Sequence, residues 1–118
     1  MKENVIKSKS FLFAIRIVNV YKHLRKVKKE FIMSKQLLRC GTSVGAMVRE
    51  SEHAESKVDF IHKLAIAQKE INESLYWIEL LYQTDYISDS EFKSIFNDAD
   101  ELMCLLTSII KSAKKSLE

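Results

Sequence analysis

Phe92, Phe96, Ala99, Met103, Leu106, Ile110, Ala113 and Leu117 succeed one another at alternating intervals of four and three residues. That spacing keeps apolar side chains on one face of a helix along its length, whereas a half-buried strand would alternate every second residue. The same rhythm runs through Phe13, Ile17, Val20, Leu24 and Val27, and again through Met33, Leu37, Cys40, Val44 and Met47. It returns in Phe60, Leu64, Ala67, Ile71, Ser74, Ile78 and Leu81. Proline is absent from the 118 residues and glycine occurs twice, at Gly41 and Gly45, so little in the chain interrupts a helix.

Stop and start signals divide this pattern into four helices, expected at about residues 5–28, 34–53, 56–84 and 89–117. Ser34 is a candidate N-cap for the second, and Ser56 with Asp59 forms a weak capping box for the third. Ser88 and Glu91 make a full box for the fourth, with Ile87 and Phe92 placed as a hydrophobic staple. Short connections make sequential helices antiparallel neighbours. The fold class is therefore all-α: one domain over residues 1–118, an antiparallel up-down-up-down four-helix bundle. Beside the first helix's seam, Phe11, Ile15 and Val18 form a second apolar stripe. It implies either a central place in the bundle or a subunit interface. Gly41 and Gly45, four apart around Thr42 and Ser43, predict a close approach of another helix. A phosphate-cradling loop would need a preceding strand and a lysine, and neither is there.

With 47% hydrophobic and 30% charged residues the chain has the composition of a folded protein. No apolar run reaches membrane-spanning length and the first ten residues lack a signal peptide's apolar core, which predicts a cytoplasmic location. Both Cys40 and Cys104 fall on apolar stripes and are expected as small buried hydrophobes. The net charge of +3 conceals an asymmetry: residues 1–39 hold 11 Lys and Arg against 2 acids, and residues 40–110 hold 5 against 13. A basic first helix on an acidic remainder can serve interior complementarity, subunit contacts or a polyanionic partner.

Candidates for chemistry are few. Glu50–His53 and Asp59–His62 have the Glu-x-x-His type of spacing used by bundle metal sites, but both flank the turn between helices two and three. Ser43 and Cys40 lack a histidine within reach, so neither is an activated nucleophile. No catalytic residue, cofactor, metal or small-molecule substrate is expected. The end of the first helix carries Lys22, Arg25, Lys26, Lys28 and Lys29, which either complement the helix dipole or bind phosphates. Tyr21 is the one adjacent aromatic, which favours contact with a nucleic-acid backbone over base stacking. A turn near residue 54 sets Arg39 level with Glu70 or Glu73 and Glu50 near Lys63, with Ser43 on the same face as Arg39 and Glu50. This polar network either fixes interhelix register or forms a groove that recognises a partner.

Gln36, Leu37, Arg39, Ser43 and Glu50, followed by Ser56, Asp59, Phe60, Lys63, Glu70, Glu73 and Trp77, resemble the motif of a four-helix bundle family. That family was first noticed in intervening sequences of bacterial large-subunit (23S) ribosomal RNA genes. The resemblance covers helices two and three closely, and one and four in pattern only. Met47 stands where the family usually has Asn, and the usual proline before helix two is missing. The resemblance implies an up-down bundle assembled into a ring, typically a homopentamer. It also implies similarity to the accessory variability proteins of diversity-generating retroelements, which bind a reverse transcriptase and nucleic acid. The first functional expectation is a non-enzymatic ring that binds structured RNA or a ribonucleoprotein through the basic end of helix one. The alternative is a protein-interaction scaffold whose basic segment is consumed in subunit contacts.

Overall fold

Each helix begins where a side chain takes up the backbone N–H groups that the first turn leaves unpaired. The computed structural model describes residues 2–117. Its four helices are α1 (Lys2–Lys26), α2 (Met33–Ser51), α3 (Lys57–Gln83) and α4 (Asp89–Lys115). Ser56 caps α3 by accepting from the Asp59 N–H, and Ser88 caps α4 by accepting from Glu91, as the sequence predicts. In neither box does the acid return a bond to the capping serine: Asp59 accepts from the Glu55 N–H, and Glu91 faces Arg16 on α1. Acids in the first turn of α4 and Lys114 and Lys115 in its last complement the helix dipole.

The start of α2 departs from expectation. Ser34 is not its cap but lies buried in the first turn, where its hydroxyl donates to the Glu30 carbonyl. The cap is the Glu30 carboxylate, which accepts from the N–H groups of Ile32, Met33 and Ser34 at 3.1, 3.0 and 2.7 Å. Helix α1 also stops at Lys26 rather than Lys28. Lys29 adopts a left-handed φ of 56° and the Glu30 N–H turns back to the Leu24 carbonyl. That geometry is what carries Glu30 to the start of α2.

Cross-helix contacts establish the topology, because partner numbers fall on one helix as they rise on the next. Between α1 and α2, Lys7 meets Glu52 and Ile17 abuts Gly41. Between α2 and α3, Arg39 meets Glu73 and Glu50 meets Lys63. Between α3 and α4, Lys57 meets Ser116 and Gln68 meets Thr107. The bundle closes with Lys9 on Glu101 and Arg16 on Asp98, joining α1 to α4. All four neighbours are antiparallel. The molecule measures 49 × 21 × 19 Å, one bundle wide.

The core holds Ile17, Leu24, Leu37, Val44, Leu64, Ile71, Ile78, Leu81, Ile95, Leu102 and Leu106, all essentially without solvent exposure. Each contributes roughly 1.5–3 kcal/mol by leaving water. On α4 the buried line runs through Ile95, Ala99, Leu102, Leu106 and Ile109, while Phe92, Phe96 and Met103 of the expected seam pack at its margin. Val27 and Leu117, the last members of their seams, lie beyond the helix ends and are exposed. Cys104 is exposed too, contrary to expectation, whereas Cys40 is buried. Phe11 and Ile15 face solvent, with Leu12 and Val5 beside them, so the second stripe of α1 is not central to the bundle. Among the described residues no helix is long and apolar enough to cross a membrane.

Candidate nucleic-acid interface

Antiparallel topology puts the last turns of α1, the start of α2 and the α3–α4 turn at one end of the bundle. The charges of α1 divide between its two halves. In the first half, Lys7, Lys9 and Arg16 are committed to Glu52, Glu101, Asp98 and Glu91 on neighbouring helices. In the second half, Lys22, Lys26, Lys28 and Lys29 are exposed. Among the described residues no acid pairs with these four or with Arg25. Interior complementarity thus uses the front of the helix and leaves its tail as a free cationic surface. Lys28 and Lys29 reach it from the connecting segment rather than from the helix.

Arg25 has a different environment. Its guanidinium lies 5.3 Å from the centre of the Tyr21 ring and 5.0 Å from that of Phe31, cation–π distances to both. Phe31 and Ile32 are largely exposed. This end is therefore more aromatic than its sequence suggests, since Phe31 lies outside every helical seam and only the fold of the connection brings it to Arg25.

Between α1 and the α3–α4 turn a cleft of about 430 Å³ opens beside the patch, with His23, Lys28 and Tyr86 in its lining. The turn is closed at Asp85, which holds a left-handed φ of 68°, by bonds from the Asp85 N–H to the Tyr82 carbonyl and from the Tyr86 N–H to that of Leu81. These bonds satisfy the last carbonyls of α3 and orient Tyr86 and Ile87.

On the α2–α3 face, Arg39 spans two carboxylates of α3, Glu70 and Glu73. Its Nη1 lies 3.1 Å from Glu70, and its Nη2 donates to Glu73. Glu73 accepts a second bond from the Trp77 indole at 2.9 Å, and these two donors, Arg39 foremost, hold its carboxyl below the usual range. Lys63 meets Glu50 at 3.4 Å. Ser43 does not join them: its hydroxyl donates to the Arg39 carbonyl of its own helix at 2.7 Å. Met47 is half-buried against the core. The network is half-exposed at Arg39 and organises a surface rather than a pocket.

Elsewhere, burial pushes the Cys40 thiol up to about 11 despite a Ser74 hydroxyl 3.3 Å away, so it stays protonated and unreactive. Glu50, His53 and Asp59 line an open depression at the α2–α3 turn. Among the described residues, no group of three or more His, Cys, Asp or Glu side chains is placed to hold a metal ion.

The model of the 23S rRNA-intervening sequence protein family matches residues 2–108, most of α1 through α4. The chain belongs to that family. It is similar to a Bacteroides thetaiotaomicron protein of the S23 ribosomal protein family, of unknown function, whose crystal structure superposes with a TM-score of 0.93. The two are 58% identical over 94% of this chain and 99% of that one. No curated protein matches the sequence. Family membership agrees with the motif on α2 and α3, and the Arg39–Glu70–Glu73 and Glu50–Lys63 contacts give several of its positions a structural role in register.

Proposed function

We propose that this member of the 23S rRNA-intervening sequence protein family is a non-enzymatic, ring-forming bundle that binds structured RNA, alone or in a ribonucleoprotein, through the basic end of α1. The observation that carries the reading is the set of cations left unpaired there among the described residues, Lys22, Arg25, Lys26, Lys28 and Lys29, while Lys7, Lys9 and Arg16 earlier on α1 are paired with acids of neighbouring helices. Five phosphate contacts at most would bind weakly from one subunit, and a ring of identical patches converts that into avidity. The solvent-facing stripe of Phe11, Leu12 and Ile15 supports assembly, since an apolar strip of this kind is ordinarily covered by a neighbour. A homopentamer is the assembly proposed, and Leu12→Glu with Ile15→Glu should reduce it to monomers in light scattering.

Fluorescence anisotropy of a labelled, structured RNA titrated across salt tests the reading. Micromolar or tighter binding that weakens steeply with salt is expected, and Lys22→Glu with Lys26→Glu should lower both the affinity and the salt slope. Absence of binding at low salt would remove RNA as the partner. A second reading, a scaffold for protein partners, would then stand on the same exposed stripe of α1.

A further inference from the structure

We infer that the cleft between the end of α1 and the α3–α4 turn is a pocket for a single unstacked nucleotide, seated with its base on Tyr86 and its phosphate toward His23 and Lys28. The inference rests on the RNA-binding reading above and names the part of an RNA that this end would single out.

Size is the first argument. At about 430 Å³ the cleft falls in the range of small-ligand pockets and has room for one nucleotide rather than a helix of RNA. The second is how its chemistry is distributed. Val20, Tyr86 and Ile87 give it an apolar and aromatic wall, the surface on which an extruded base stacks. His23 lines the cleft from α1 and Lys28 from the connection after it, whereas Tyr86 comes from the α3–α4 turn. Neither cation is in an ion pair among the described residues, so both are free for a phosphate. Asn19 and Ser88 supply an amide and a hydroxyl that can meet donor and acceptor groups on a base edge.

The carboxylate of Glu91 also lines the cleft, 3.4 Å from Arg16, whose other nitrogen is held by Asp98. Arg16 is thus spent on acids and adds no free charge. Glu91 disfavours a small bare anion and favours a ligand that brings hydrogen-bond donors with its negative charge, as a nucleotide does. The cleft is also continuous with the basic patch through Lys28, so a strand tracked along Lys22 and Lys26 reaches it without leaving the surface. The apolar cavity at the opposite end, between Ile6, Val48 and Phe60, contains no cation and lacks this combination.

Three probes test the inference: 2-aminopurine ribonucleoside 5′-monophosphate added directly, an RNA hairpin carrying 2-aminopurine as a one-nucleotide bulge, and the same hairpin fully paired. The bulged RNA should bind about tenfold tighter than the paired one, with a change in 2-aminopurine emission, in line with the worth of one stacked base. Asn19→Ala alters an exposed side chain and Tyr86→Leu keeps an apolar contact, so both should fold by circular dichroism. Each should shrink the preference for the bulge. Emission changes with the free monophosphate would mean that the cleft accepts a nucleotide unaided, and a change with the bulge alone would mean that it needs the strand. If both hairpins bind equally, the cleft is not a nucleotide pocket and the basic patch alone explains RNA binding. If neither hairpin binds but the monophosphate does, the pocket stands and the RNA surface falls. Silence from all three probes overturns both.

Discussion

The carboxylate of Glu30 must be ionised to accept three backbone N–H groups at once. Burial alone would raise its pKa, but the hydrogen bonds from Ser34, Met33 and Ile32 outweigh burial and leave it below the ordinary value of 4.5. A folded-state pKa below the unfolded one means that the contribution to stability is complete above about pH 4.5 and is lost as pH falls through the lower value. Glu30→Gln should therefore cost about 1–2 kcal/mol near neutral pH, as the loss of a charged helix cap does. The gap between variant and parent should close in acid. Urea denaturation followed at several pH values between about 7 and 3 measures both effects. A gap of the same size at every pH would mean that the side chain is packing there rather than capping.

At the scale of the helix pair, the two glycines of α2 have unequal roles. A Cβ on Gly41 would stand 2.8 and 2.9 Å from the γ carbons of Ile17, a side chain with no solvent exposure and no room to retreat. Relief of the helical glycine penalty offers about 1 kcal/mol, and overpacking of a filled core costs about 1–3 kcal/mol, so the second wins. Gly41→Ala should destabilise, and Ile17→Val in the same chain should restore part of the loss. A Cβ on Gly45 would meet the Ser10 carbonyl at 3.4 Å, an acceptable contact, so Gly45→Ala should be neutral or stabilising by up to about 1 kcal/mol. Thermal and urea midpoints of the three variants decide it. A close helix approach was legible in the four-residue spacing of the glycines. Which one is indispensable was not, because that depends on Ile17, 24 positions away.

Across the whole molecule, what could be read in advance was what repeats along a helix. Helical periodicity was enough for four helices, and a turn near residue 54 was enough to set Arg39 beside Glu70 and Glu73. The pattern misled where two apolar lines run side by side: on α4 the line through Phe92, Phe96 and Met103 looks as regular as the one through Ile95, Leu102 and Ile109, and only packing against α1 and α3 selects the latter. It was silent on the connections, where no period operates. Phe31 beside Arg25, Glu30 at the start of α2, and Tyr86 across from His23 all depend on left-handed turns at Lys29 and Asp85. Aspartate is a type enriched in that conformation and lysine is not, and no helical period marks either position. The end that the proposed function relies on is therefore the part least visible in the sequence.

The ion pairs that close α1 against α4 also bear on the order in which the chain assembles. Each of the other three helix contacts joins neighbours across a short turn, whereas Arg16 must find Glu91 and Asp98 from 75 and 82 residues away. Local hairpins form before such distant contacts repay their loop-closure entropy, so docking of α1 on α4 is a late event on the way to the native state. In stopped-flow refolding, Arg16→Ala should hasten unfolding and leave the folding arm of the chevron nearly unmoved. A slowed folding arm would place that seam in the nucleus instead. Until it shuts, the chain is an open three-hairpin ribbon whose apolar stripe on α1 and core are exposed together, which gives a second copy its best chance to associate before folding is complete.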